Sequence, residues 1–252
     1  MDNINNIDNT VLNADESLTD INDSIKLIQK KDGLTFGTDA LLLAAFIKPN
    51  KYASAADLGS GTGVISLLCA RRGKFAKINA IELQPDYADI IARNTRLNNL
   101  DDVITPVCDD VRNLSQDMTV DAAFSNPPYL KKNSGKQNEN MGRNLARREI
   151  NGDIGDFCAS AAAILKYGGL FYVVYRPDRM IDLLCSLRSH NLEPKRLVMV
   201  YPDITSEPCL ILAEAKKGAN SSLITPAPLF LNIFGETSND ARRIYETGDW
   251  FY

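Results

Sequence analysis

From residue 25 onward, short apolar runs bounded by turn residues alternate with longer segments whose apolar positions recur every three or four residues. IKLIQ at 25–29 predicts a short strand and Asp32-Gly33 a turn. Thr38 then caps a predicted helix that runs to Ile47, with Pro49 beyond it. Residues 52–58 predict a strand, 63–72 a helix, 77–82 a strand and 85–98 a helix that opens on proline. Strands follow at 103–108 and 120–125, then a polar loop to about Gly152 and a helix over 153–166 closed by Gly168-Gly169. A strand at 170–175 and a helix at 177–190 lead to strands at 196–201 and 209–214, close enough to form an antiparallel hairpin. The pattern implies an α/β fold: a doubly wound, mostly parallel, seven-stranded Rossmann-like sheet with an antiparallel edge hairpin.

Charge divides the 252 residues unevenly. Six acids and no Lys or Arg fall in residues 1–23, which are also Asn-rich, so this stretch is expected to be a disordered acidic arm. Without it, the net charge of −4 becomes +2 for residues 24–252, which are expected to form a single domain. Residues 131–148 carry six Lys and Arg against Glu139 alone, a basic loop (130–152 in full) suited to a polyanionic partner.

Five cysteines never form a C-x-x-C pair, which argues against a disulfide framework or a zinc site and suits a reducing, cytoplasmic setting; no metal is expected. Apolar runs are too short for a bilayer span and the acidic start does not read as an export signal, so no membrane attachment is expected. The single histidine, His190, ends a predicted helix as a surface residue does, which disfavours chemistry needing a histidine base.

Between the strand at 52–58 and the next helix lies Asp57-Leu58-Gly59-Ser60-Gly61-Thr62-Gly63. Glycines there let a backbone approach a ligand, and a helix N-terminus favours its anionic groups. Glycines at 59, 61 and 63 miss the dinucleotide spacing, which wants the third where Val64 stands, so a nicotinamide cofactor fits poorly. Glu82 closes the next strand, where a carboxylate accepts both ribose hydroxyls of an adenosine. Of Asp109 and Asp110, after the following strand, Asp110 is the expected acceptor for the adenine amino group, while Asp109 reads equally well as a solvated turn residue. Asp57 reads either as part of the cofactor shell or as a tether for the glycine turn.

Asn126-Pro127-Pro128-Tyr129 follows the strand at 120–125 directly. The prolines fix the backbone and bias their predecessors toward extended geometry, so an Asn side chain can be held facing a pocket. A conjugated amine is a poor nucleophile because its lone pair is delocalised. Two acceptors, Asn126 Oδ1 and the Pro127 carbonyl, would favour the form with the lone pair localised, and its attack on the methyl of an electrophilic sulfonium would then need chiefly positioning. Tyr129 offers a stacking face for a planar substrate, with Pro128 beside it. Read blandly, the four residues are a rigid turn.

With these residues in place the chain resembles class I S-adenosylmethionine-dependent methyltransferases carrying NPPY, and among them the bacterial family that methylates N6 of adenine 37 in a valine tRNA. The closer match rests on DGLTFGTDALLL (32–43), DLGSGTG, AIEL, NPPY, ARRE (146–149) and GGLFYVVYRPDR (168–179). The resemblance implies S-adenosyl-L-methionine as cofactor, held by Gly59, Gly61, Gly63, Glu82 and Asp110, with Asn126 at the reacting amine. It also implies a cofactor-capping segment at 24–50, making Phe36, Thr38 and Asp39 candidates near the methionine moiety, although Thr38 also reads as a plain helix cap. The tRNA, met at its anticodon region, would touch Lys131, Lys132, Arg147 and Arg148, and its target base would leave the stack to reach the pocket. Trp250 and Tyr252 either help recruit it or pack on the body. Monomeric action is the working expectation. Two alternatives stay open: a glutamine N5-methyltransferase acting on release factors, and an RNA-binding module without activity.

Overall fold

The structure, a computed structural model, describes residues 12–21, 25–33, 36–114, 117–127 and 152–250. In chain order the elements are β1 (Glu16–Ile21), β2 (Ile25–Lys30), α1 (Thr38–Phe46), β3 (Ser54–Leu58), α2 (Val64–Arg71), β4 (Lys77–Glu82), α3 (Pro85–Leu97), β5 (Ile104–Cys108) and β6 (Val120–Ser125). There follow α4 (Ile154–Ile164), β7 (Leu165–Tyr175), α5 (Met180–Ser189), β8 (Leu192–Asp203), β9 (Leu210–Lys217), β10 (Leu229–Ile233), β11 (Glu236–Thr237) and α6 (Asn239–Thr247).

The doubly wound sheet is present, with strand order β11-β10-β8-β9-β7-β6-β3-β4-β5. Strands β5, β4, β3, β6 and β7 run parallel, and β9 inserts antiparallel between β7 and β8 as the expected hairpin. Ala55 faces a core shared with α1, α2 and α6, whereas Ala56 and Leu58 face a core shared with α4 and α5. Burial on both faces explains why β3 has apolar residues on both, Ala55 on one and Ala56 and Leu58 on the other. Winding runs outward from β3 through β4 and β5 on one side and through β6 and β7 on the other. The switch point therefore lies at the carboxyl ends of β3 and β6, where open α/β sheets leave a crevice.

Several sequence expectations need correction. The sheet has nine strands among the described residues rather than seven, because residues 229–237 add β10, parallel to β8, and its partner β11. α6 then packs Ile244 into the core, and Trp250 is buried edge-on against Phe46, at 5.2 Å between ring centroids. Trp250 belongs to the body and is no exposed recruiting residue. The cap of α1 is Gly37, and Thr38 is the first residue of the helix. α4 begins on the Asp153–Asp156 capping box but ends at Ile164. Gly168 and Gly169 lie inside β7, where a Cβ on Gly169 would stand 3.0 Å from the Asp121 carbonyl of β6.

Residues 1–23 were expected to be disordered throughout, yet Glu16–Ile21 pairs antiparallel with β2. A lone two-stranded hairpin is marginal in water, so something must hold it. α3 does so. Asn94 and Asn98, one turn apart, each bond both the N–H and the C=O of a β2 residue, Ile28 and Lys26 respectively, standing in for a neighbouring strand. Arg93 on the same helix grips both oxygens of the buried Glu16 carboxylate.

Candidate active site

Glycines 59, 61 and 63 all have positive φ, at 72°, 58° and 80°, so the turn after β3 takes left-handed backbone three times in five residues, and glycine is required there. The N–H groups of Gly59 and Ser60 both donate to the Ile81 carbonyl of β4, at 3.0 and 2.9 Å, which fastens the turn to the next strand. A Cβ on Gly59 would meet the Phe157 ring at 3.1 Å and one on Gly63 would meet Ile91 at 3.3 Å, so the turn is also closely packed from both sides.

Two carboxylates frame this turn. Glu82, buried at the end of β4, accepts from Gly61 N–H at 2.9 Å and Gln84 N–H at 3.0 Å. Each oxygen keeps a second lone pair for further donors such as hydroxyls. Burial raises its pKa, with the two backbone donors working against the rise. Asp57 is buried at 1 % exposure; its Oδ2 accepts from Ser66 Oγ at 2.7 Å while Oδ1 has no hydrogen-bond partner among the described residues. Burial pushes this carboxyl up to about 7. An unsatisfied carboxylate oxygen beneath a glycine turn is costly alone and suits a cationic group such as the ammonium of an amino-acid moiety.

The carboxyl end of β6 stands one strand spacing, about 4.8 Å, from that of β3, on the side opposite β4. Ser125, fully buried, donates through Oγ to the Leu58 carbonyl at 2.7 Å and so locks the two strand ends together. Asn126 and buried Pro127 follow. Asn126 Nδ2 donates to Asp39 Oδ2 at 2.7 Å, which brings the first turn of α1 against the segment after β6. The helix α1 that Thr38 opens packs against α6, and Phe36 packs partly buried against the core.

Asp110 is engaged locally, in a turn whose Asp109 N–H donates to the Glu82 carbonyl at 3.1 Å. Its carboxylate caps a 3-10 turn through Arg112 N–H and pairs with the Arg112 guanidinium, which holds its pKa down. Asp109 is exposed and accepts from Asp110 N–H at 2.7 Å. Pro128, Tyr129, Lys131, Lys132, Arg147 and Arg148, with the basic loop as far as residue 151, lie outside the described residues. Sequence reasoning missed Ser66 and Ser125, polar side chains that announce nothing until the fold brings them to the site. Asn94 was missed as well: besides bonding β2, it donates to the Thr62 carbonyl of the glycine turn at 2.9 Å.

The pattern of the methyltransferase small domain family matches residues 30–184, which span α1, the glycine turn, Glu82 and Asn126. The chain belongs to that family. A methyltransferase small domain is thus carried on this sheet, and curated relatives agree. The tRNA1(Val) (adenine(37)-N6)-methyltransferase of Phocaeicola vulgatus is 29% identical over 191 residues, 75% of this chain and 79% of the relative. The protein of the same name from Porphyromonas gingivalis is 28% identical over 187 residues, 71% of this chain and 72% of the relative. In Aliivibrio fischeri the corresponding figures are 34% over 115 residues, 46% and 48%. Among solved structures, a predicted O-methyltransferase from Agrobacterium tumefaciens superposes with a TM-score of 0.67 at 18% identity, covering 84% of this chain and 97% of that one. M. jannaschii TYW2 in complex with AdoMet does so at 0.56 and 15%, covering 80% and 85%. These structural neighbours share the fold. No helix among the described residues is long and apolar enough to cross a membrane.

Proposed function

We propose that this methyltransferase transfers the methyl group of S-adenosylmethionine to the exocyclic N6 of adenine 37 in valine tRNA. One observation carries the reading: Asn126 and the glycine turn share the switch point of the sheet, locked together by the Ser125 to Leu58 bond. The curated relatives, whose names state this reaction, favour adenine over the glutamine amide that NPPY would equally serve.

When bound, the cofactor supplies an electrophilic sulfonium methyl. Glu82 would accept its ribose hydroxyls, Asp57 would pair with its charged amino-acid end, and the turn at Gly59, Gly61 and Gly63 would admit it to the backbone. Asn126 Oδ1 and the Pro127 carbonyl would accept hydrogen bonds from the two N–H groups of the adenine amine, so that its localised lone pair could take the methyl as the sulfonium becomes a neutral thioether, the surplus proton on nitrogen passing to solvent. Pro128 and Tyr129 hold the flipped base, with stacking worth about 1–3 kcal/mol. Lys131, Lys132, Arg147 and Arg148 meet phosphates of the anticodon region, so tRNA affinity should fall steeply with salt. Residues 24–252, with β1 added at their N-terminal side, act as one domain, monomeric in solution. Asp110 reads the cofactor adenine, so Asp110→Ala should weaken cofactor binding more than Asp109→Ala; titration giving the reverse order overturns that assignment.

The direct experiment incubates the protein with labelled S-adenosylmethionine and unmodified valine tRNA transcript. Incorporation that disappears when adenine 37 is replaced supports the proposal. Incorporation that survives the replacement, or that appears only in a release factor, sinks it.

A further inference from the structure

We propose that Asp39 is a positioning residue that fixes the side-chain amide of Asn126 in the one orientation useful to the reaction, an inference that rests on the function proposed above. An Asn amide has two nearly isosteric ends with opposite properties: Oδ1 accepts and Nδ2 donates. If Asn126 is to accept a hydrogen from the substrate amine, Oδ1 must face it. A flip by 180° would present two N–H donors to an amine that is itself a donor. Packing cannot distinguish the two ends, because their shapes are alike; only a charged or polar neighbour can.

Asp39 is that neighbour. An ionised carboxylate only accepts, so its contact with Nδ2 at 2.7 Å permits one orientation of the amide and directs Oδ1 away from the carboxylate. The flipped amide would set Oδ1 against Oδ2, losing a charge-assisted bond and adding repulsion between two acceptors.

The carboxylate is itself held from several directions. Asp39 Oδ1 accepts from Ala40 N–H at 2.9 Å, in the first turn of α1, where the helix dipole favours an anion. It folds back over Gly37, where a Cβ would stand 2.7 Å from Asp39 Oδ1, so the missing side chain at residue 37 makes room for the carboxylate. The helix that carries it also packs against α6. At the far end of the helix, buried Lys74 Nζ donates to the carbonyls of Ala44, Ala45 and Ile47, at 2.7, 2.9 and 2.5 Å. α1 is thus pinned at both ends, and Asp39 meets the segment after β6 from a fixed platform. This role differs from a contact with the methionine moiety of the cofactor, and the two make different kinetic predictions.

The test compares wild type, Asp39→Ala, Asn126→Asp and the exchange Asp39→Asn/Asn126→Asp, with kcat, cofactor Kd and melting temperature measured for each. Asp39→Ala should lower kcat roughly tenfold or more at saturating cofactor while cofactor Kd stays within about threefold. Asn126→Asp sets two carboxylates face to face and should also be slow. The exchange restores a donor at 39 and an acceptor at 126, and should recover activity above either single variant, which a merely structural role for Asp39 would not produce. Loss of cofactor affinity with kcat retained overturns the inference, as does an exchange no better than the single variants. Should Asp39→Ala melt too low to assay, the exchange still decides. The Asn126 side-chain amide signal in a 15N-labelled sample, slow to exchange in wild type and fast in Asp39→Asn, reads the pair without turnover. If wild type modifies no tRNA, the reaction proposed above fails, whereas equal exchange in wild type and variant overturns the positioning role itself.

Discussion

Asn126 carries the chemistry at the scale of single residues, and its removal should be felt in turnover rather than in cofactor binding. Asn126→Ala is expected to reduce kcat by on the order of 100-fold, the size of losing one preorganised partner of the transition state. Cofactor affinity, measured by calorimetry, should change little, and a large drop there would reassign Asn126 to the cofactor. Asp57 makes a different prediction. Its carboxyl, raised by burial from 3.8 to about 7, favours the folded state most below about pH 4, and that contribution is lost as pH rises through about 7. Without cofactor, Asp57→Asn should therefore gain on wild type in melting temperature between pH 4 and 8. A constant difference across that range would show that Asp57 does not titrate within it.

Elements matter here through their mutual ties. The β1–β2 hairpin is tied to α3, and α3 is tied through Asn94 to the glycine turn, so an N-terminal addition buttresses the cofactor side of the sheet. Arg93, beside Glu16, holds that buried carboxyl down at about 2. This depressed group stabilises the fold above its unfolded value of 4.5, and the contribution fades as pH falls toward about 2. Glu16→Gln should cost about 1.5–3 kcal/mol at pH 7, as bonds to charged groups do, and the cost should shrink below pH 4. Hydrogen exchange of the β2 amides checks this, since loosening ought to appear there first. Protection unchanged by the substitution would mean that the asparagines of α3 suffice alone.

For the molecule as a whole, the C-terminal segment completes one core. Leu229, Ile244 and Trp250 belong to the same buried cluster as Phe46 and the apolar face of α1. A chain ending at residue 218 keeps NPPY, the glycine turn and Glu82, but uncovers that cluster and removes the helix packed against α1. It should melt well below the full chain and bind a reporter of exposed apolar surface. Comparable melting of the two would show that β10, β11 and α6 contribute little to the body.

The sequence by itself determined what depends on local order. Alternating runs fixed the doubly wound sheet, and alternate glycines marked a turn that only glycine can make, as its three positive φ angles bear out. NPPY and Glu82 could be assigned to strand ends because parallel strands send every such end to one edge. Composition misled where it was averaged: an acid-rich stretch concealed the six-residue strand Glu16–Ile21, whose stability comes from an arginine 77 positions away. Chain beyond residue 214 has weak periodic signals, so two strands and a helix there went unread. Only the tertiary structure decided that Asp39 meets Asn126 across 87 positions and that Ser125 locks two strand ends across 67. Such contacts leave no trace in local pattern. A carboxylate at a helix start looks the same whether it faces water or steers an amide, and only the fold's long-range closure gives it a partner.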